Sequence, residues 1–258
     1  MATPAEWLEG ARPRTLPAAV APVLVGTGAA AQLGQAALGR AFLAAGVALA
    51  LQVGVNYSND YSDGVRGTDL DRVGPLRLTG SGAAQPRHVR NAAFVAFGVG
   101  ALLGLWLVAV SGQWWLLAVG ALAILAGWSY TGGRNPYGYR GLGEVGVFVF
   151  FGLVAVLGST YTQAGRISWA AVAGAVGVGL LACALLMVNN IRDVPTDILA
   201  GKRTLAVRLG EFRARRLYAV FLVTALLLGA ACALVAPWSL LVLMLALPVG
   251  LLATTVVM

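Results

Sequence analysis

Charge is scarce in this chain. Only 11% of its 258 residues are charged and 59% are hydrophobic, whereas an average soluble domain is about one quarter charged. There is too little charge to cover a water-soluble surface, and no soluble basic domain to carry nucleic acid. Histidine is nearly absent: His88 alone, at the start of an apolar run, reads as an interfacial residue rather than a ligand. Cys183 and Cys232, the two cysteines, sit inside apolar runs without metal-ligand spacing and read as packing residues. A soft-metal centre and a disulfide framework are therefore excluded. No cleavable leader is evident, because Glu6 and Glu9 precede Arg12 and Arg14 where a basic segment would stand.

What the chain has instead is long apolar sequence. Runs of about 20 apolar residues recur, each long enough to cross a bilayer as a helix. Eight spans are predicted, at about 16–33, 40–58, 88–111, 113–130, 142–163, 169–190, 216–235 and 238–258. The runs are continuous rather than alternating, which excludes a β-barrel. The fold class is all-α, a polytopic membrane helix bundle, with 34 glycines suited to close helix contact. Residues 1–258 form one transmembrane domain, with pseudo-repeat halves at about 12–135 and 140–258.

Ten residues are acidic, and five of them lie in two clusters that end apolar spans. The first cluster runs from Asn56 through Asn59, Asp60 and Asp63 to Asp69. The second runs from Asn189 and Asn190 through Arg192 and Asp193 to Asp197. Carboxylates beside hydrocarbon are costly, and such residues mark function by default. Asn56, Asn59, Asp60 and Asp63 are three or four apart, so a helix places them on one face, and the second cluster repeats the pattern. Pro195, between Asp193 and Asp197, predicts a broken or restarted helix.

With eight spans, 16 of the 18 Lys and Arg residues and all ten acids share one side, leaving Arg40 and Arg166 on the other. The positive-inside rule makes the first side cytoplasmic. Trp114, Trp115, Trp169 and Trp238 then form an outer aromatic belt. Carboxylates gathered with amides suit a hard divalent cation such as Mg²⁺, which takes one or two carboxylates and fills its shell with phosphate oxygens. Arg66, Arg72 and Arg77 follow the first cluster, and Lys202, Arg203 and Arg208 the second; they serve a phosphate or simply orient the protein.

Four stretches resemble the UbiA superfamily of intramembrane aromatic prenyltransferases. They are Arg12-Pro-Arg14-Thr-Leu-Pro17; Asn59-Asp60 through Asp69 with Arg72 to Arg77; Tyr130-Thr-Gly-Gly133 with Gly141-Leu-Gly-Glu144; and Asn189 to Asp197 with Gly201 to Gly210. Within the superfamily the chain is most similar to the menaquinone branch, which prenylates 1,4-dihydroxy-2-naphthoate. The family pattern has an acidic loop after helix 2, another after helix 6, and nine helices; eight are predicted here, with the last missing. The resemblance implies Mg²⁺, or Mn²⁺ in its place, on Asp60, Asp63, Asp193 and Asp197, with Asn56 and Asn59 ligating it or orienting the aspartates. It implies a long-chain polyprenyl diphosphate held by Lys202, Arg77, Arg66 and Arg192. Tyr130 shields the allylic cation or belongs to the interfacial belt, and Arg14 and Arg140 are candidates for the naphthoate carboxylate. Prenyl transfer with loss of carbon dioxide, a proton and diphosphate gives demethylmenaquinone, in a bacterial plasma membrane with the active-site loops cytoplasmic. Other acceptors, such as 4-hydroxybenzoate or a chlorophyllide-like ring, and a divalent-cation transporter are the rival readings.

Overall fold

The computed structural model describes residues 2–68, 76–237 and 239–257. Asp69, Asp71, Arg72 and Trp238 of the sequence reading lie outside the described residues. Among the described residues every regular element is helical. A short α1, Pro4–Gly10, is closed by a reciprocal capping box between Thr3 and Glu6. It is followed by α2 (Leu16–Gln32), α3 (Leu38–Arg66), α4 (Pro86–Ser111) and α5 (Leu116–Ser129). The second half contains α6 (Gly143–Ala164), α7 (Trp169–Leu199), the short α8 (Leu205–Leu209), α9 (Glu211–Ala231) and α10 (Ser239–Val257).

Among the described residues six helices are long and apolar enough to cross a membrane, the first of them counted through α1 and α2. The sequence windows at 113–130 and 238–258 yield shorter helices. At 14 residues, α5 reaches only about 21 Å at 1.5 Å per residue. Trp114 and Trp115 lie in the turn before it.

The acidic clusters differ from the family expectation of loops: Asn56 to Asp63 and Asn189 to Asp197 lie inside helices. α3 continues past residue 58 to Arg66, and Gly67 stops it in the left-handed region (φ 73°) that a Cβ would disfavour. α7 runs unbroken to Leu199 with Pro195 inside it, which corrects the predicted break. The ring removes one hydrogen bond, to the Ile191 carbonyl, close to the helix end, where neighbouring groups and water compensate.

α3 packs on α4, α7 packs on α6 and α9, and α2 touches α3, α6 and α7. Small residues let the backbones approach. Between Phe148 and Leu157 the α6 segment is wound as a π-helix. There a Cβ on Gly152 would lie 2.6 Å from the Gly179 Cα and 2.7 Å from the Ala175 carbonyl oxygen. At the end away from the acidic clusters, Arg40 donates to the carbonyls of Val110 (2.8 Å) and Thr162 (3.0 Å), where α4 and α6 finish. A cation on these exposed carbonyls satisfies acceptors that hydrocarbon cannot.

Gly152→Ala is expected to destabilise the bundle by about 1–3 kcal/mol, because backbone rather than a flexible side chain must move. A thermal midpoint in detergent unchanged from that of the parent protein would overturn this account of the α6–α7 contact.

Candidate functional site

The two clusters end α3 and α7 at the same end of the bundle. Between them opens a small cleft of about 120 Å³, lined by Gly67, Thr68, Thr196, Leu199 and Ala200. Asp63 is its anchor on the α3 side and is 3% exposed. One oxygen accepts the Tyr139 hydroxyl at 2.5 Å, and the other meets the Lys202 ammonium at 3.3 Å. Lys202 also stands 4.8 Å from the centroid of the Tyr139 ring, and Arg66 faces the same ring at 5.3 Å. The segment after α7 is fixed from both sides: Lys202 N donates to the Asp197 carbonyl at 2.8 Å, and Arg203 N donates to the Tyr139 carbonyl at 2.9 Å. Thr204 donates to the Asp197 carboxylate at 3.4 Å. Three segments far apart in sequence thus meet around one tyrosine.

The remaining predicted residues divide. Asn59 accepts from Thr131 at 2.7 Å, which joins α3 to the loop after α5. Arg66 donates to the carbonyls of Thr131 and Gly133 in the same loop. Asp193, on α7, pairs with its neighbour Arg192 through two bonds of 2.7 and 2.9 Å. Tyr130 ends α5, edge-on to Tyr137 at 5.4 Å, within electrostatic reach of Glu144, Asp63 and Asp197.

Asp60 and Asn56 have other partners. Asp60 is 1% exposed, and its two oxygens each accept a backbone amide at 2.8 Å, from Leu78 and Thr79. Asn56 donates to the Ala11 carbonyl at 2.8 Å and accepts from Gln52 at 3.1 Å. Asn56 ties the start of the chain to α3, and Asp60 ties the segment between α3 and α4 to it. Arg77 is buried in the segment that Asp60 holds. Arg14 and Arg140 stand exposed. Arg12 adopts a left-handed φ of 56° at the α1–α2 junction, the one such non-glycine among the described residues, and its charge reaches Asp60.

Tyr139, Thr131, Thr204 and Glu144 were not singled out by spacing. Tyr139 lies in a loop with no periodicity to flag it, and only its neighbours Gly138 and Gly141 hint at a fixed turn. Asn190, next to the second cluster, turns its amide onto Glu144 at 3.1 Å and so is not presented to the cleft.

Burial raises the two tyrosines of the loop itself. Tyr137 is pushed up to about 12. Tyr139 is raised by burial and by the Asp63 carboxylate. Both phenols stay protonated at neutral pH, and Tyr139 serves as a donor to Asp63.

The chain belongs to the UbiA prenyltransferase family, whose pattern matches residues 19–258. It is 57% identical over 238 residues to the 1,4-dihydroxy-2-naphthoate octaprenyltransferase of Mycobacterium tuberculosis, covering 92% of this chain and 81% of that one. It is 43% identical over 226 residues to the enzyme of the same name from Escherichia coli, covering 85% and 73%. Its fold is similar to that of a UbiA homologue from Archaeoglobus fulgidus solved with GPP and Mg²⁺, with a TM-score of 0.73 at 16% identity, covering 97% and 86%.

Tyr139→Phe keeps the ring beneath Lys202 but removes the donor to Asp63. It is expected to cost about 1.5–3 kcal/mol, the range for a hydrogen bond to a charged group. A double-mutant cycle with Asp63→Asn measures it, and a coupling near zero would contradict the geometry. The tyrosines also set a pH dependence. Unfolded, Tyr137 titrates near 10; folded, near 12. Between those values the unfolded chain releases a proton that the folded one keeps, so stability present below pH 10 falls as the pH approaches 12. A thermal midpoint that rises with pH over this window would show the sign to be wrong.

Proposed function

We propose that this protein transfers a polyprenyl group from an allylic diphosphate to 1,4-dihydroxy-2-naphthoate, with loss of carbon dioxide and diphosphate. The product is demethylmenaquinone in its quinol form. The convergence of Asp63, Lys202 and Asp197 at one end of an apolar bundle carries the diphosphate reading. The naphthoate acceptor rests on the relatives' names and on identities as high as 57%. The protein crosses a bacterial plasma membrane eight times, with α5 and α10 among the crossings and the acidic ends of α3 and α7 in the cytoplasm. The location of 16 of its 18 cationic residues supports that orientation. The two halves, about 12–135 and 140–258, act as parallel repeats, each presenting one cluster at the C-terminal end of a long helix.

The donor set fits Mg²⁺. Every candidate is a hard oxygen, from Asp63, Asp193, Asp197 and Asn59, and no imidazole or thiol competes. Among the described residues no group of three or more His, Cys, Asp or Glu side chains stands close enough to hold a metal unaided. Phosphate oxygens would complete the shell, which is how Mg²⁺ is usually held beside substrates. A cation held there would supply charge neutralisation for the departing diphosphate, and Mn²⁺ would supply the same chemistry.

The chain's own residues do the rest. Lys202 and Arg192 already sit on Asp63 and Asp193, so each is within a side-chain swing of a phosphate bound there. Arg77 and Arg66 add positive charge along the first cluster. Tyr139 holds Asp63 in orientation through its hydroxyl. Tyr130 presents a ring beside the cleft to the developing allylic cation. Asp60 supports the site by fixing Leu78 and Thr79, which keeps Arg77 near the end of α3. Arg14 and Arg140, both exposed, offer the guanidinium for the naphthoate carboxylate.

Membranes containing the protein, given labelled polyprenyl diphosphate and a panel of aromatic acids, are expected to prenylate 1,4-dihydroxy-2-naphthoate in preference to 4-hydroxybenzoate. Asp63→Asn or Asp193→Asn is expected to lower turnover by about a hundredfold or more, and excess EDTA to abolish it. Full turnover by either purified variant, or in EDTA, would remove the carboxylate–cation scheme; preference for 4-hydroxybenzoate would remove the acceptor.

A further inference from the structure

Glu144 is the one buried acid that the diphosphate chemistry leaves without a task. It is 5% exposed, on the first turn of α6, and faces the second cluster. Its Oε1 accepts from Asn190 Nδ2 at 3.1 Å. Its Oε2 is buried with no hydrogen-bond partner. The titratable groups around it are Tyr130 from the end of α5, Tyr137 against Gly146 of its own helix, and Cys183 of α7, whose thiol donates to the Glu144 carbonyl at 3.2 Å. Asp63 and Asp197 also reach Tyr130 electrostatically. Among the described residues no cation pairs with Glu144.

A carboxylate inside a bilayer protein, with one oxygen fixed and the other left over, is poorly explained by packing. A glutamine would keep the Asn190 bond through its own carbonyl and carry no charge. Position points to chemistry. Asn190 precedes Asp193 by one turn, about 4.5 Å deeper along α7, so the Glu144 carboxylate that it holds lies on the apolar side of Asp193. A ring between a diphosphate at the cleft and a prenyl tail in the apolar interior would lie on that side. Gly143 lets Leu186 and Tyr130 pack close beside it, since a Cβ there would stand 3.2 Å from Leu186 Cδ2 and 3.4 Å from the Tyr130 hydroxyl.

We infer that Glu144 is a catalytic residue: its Oε2 accepts the proton of the acceptor hydroxyl next to the attacked carbon. This rests on the naphthoate reading above. As the ring carbon bonds to the prenyl C1′, the C1′–O bond breaks and its electron pair leaves with diphosphate. The O–H proton passes to Glu144, and the ring oxygen becomes a ketone. The ketone and the neighbouring carboxylate form a β-keto acid anion. Its C–C bond breaks, carbon dioxide leaves, and the electron pair restores the aromatic ring as an enolate. The enolate takes the proton back from Glu144. No net proton, oxidant or reductant is required, and the carboxylate is regenerated. Asn190 is a positioning residue that fixes Oε1 and so directs Oε2 to the ring.

The test is a pair of isosteric comparisons in membranes. Glu144→Gln is expected to lower kcat by about 10²-fold or more, the usual contribution of a positioned base. Binding of a non-hydrolysable prenyl thiodiphosphate with Mg²⁺, read as thermal stabilisation, is expected to change less than twofold in midpoint concentration. Glu144→Asp, which keeps a carboxylate, is expected to exceed Glu144→Asn by a similar factor, and this second pair decides if Glu144→Gln does not accumulate. Equal kcat within either folded pair would overturn the assignment. A wild-type protein that binds the thiodiphosphate but fails to prenylate 1,4-dihydroxy-2-naphthoate would overturn the acceptor reading instead.

Discussion

The Asp63 carboxylate joins what the chain keeps far apart. It comes from the end of α3, takes a hydroxyl from the loop before α6, and pairs with an ammonium from the segment after α7. Each partner is separately secured, Tyr139 by the Arg203 amide on its carbonyl and Lys202 by its own amide on Asp197. In an environment of low polarity such a network is worth most when every member is satisfied. Under the proposed function the same groups would exchange one another for the oxygens of a phosphate.

The opposite end follows the same constraint with a different result. There Arg40 covers the carbonyls that finish α4 and α6, and Gln163 donates to Thr27 at 3.0 Å and to Ser159 at 2.8 Å. No acidic residue among those described takes part. Backbone groups that cannot reach water must find partners inside the protein, and here they find neutral amides and two guanidiniums, Arg40 and Arg166. One end is thus closed by hydrogen bonds between fixed groups, and the other is organised around exchangeable ions. The asymmetry of the charge pattern is an asymmetry of purpose.

Much of this was legible in the sequence. The apolar runs predict the long helices to within a few residues at most ends, and the three-and-four spacing of Asn59, Asp60 and Asp63 signals a helical face. Legibility failed where a residue's task depends on a remote partner. Asn56 and Asp60 fit the metal pattern as well as Asp63 does, but the carbonyl of Ala11 and the amides of Leu78 and Thr79 claim them. Pro195 signals a break only if the helix has no neighbours to support it. The length of α5 is set by turns at Trp114–Trp115 and at Thr131, which an apolar window passes over. Tyr139 and Glu144 acquire meaning from Lys202 and Asn190, more than 45 positions further on, and no local pattern carries such distances.

That shortness has its own effect on the surrounding lipid. α5 has no buried residue, packs only against α3 and α4 among the long helices, and exposes Leu122 and Leu125 by about 60%. About 21 Å of helix faces a hydrocarbon layer of about 30 Å. Acyl chains beside this wall must compress, or α5 must ride toward one leaflet, and either carries a small elastic cost per ångström of mismatch. If α5 is one of the crossings, as proposed above, the hydrocarbon layer would be thinnest on the flank beside it.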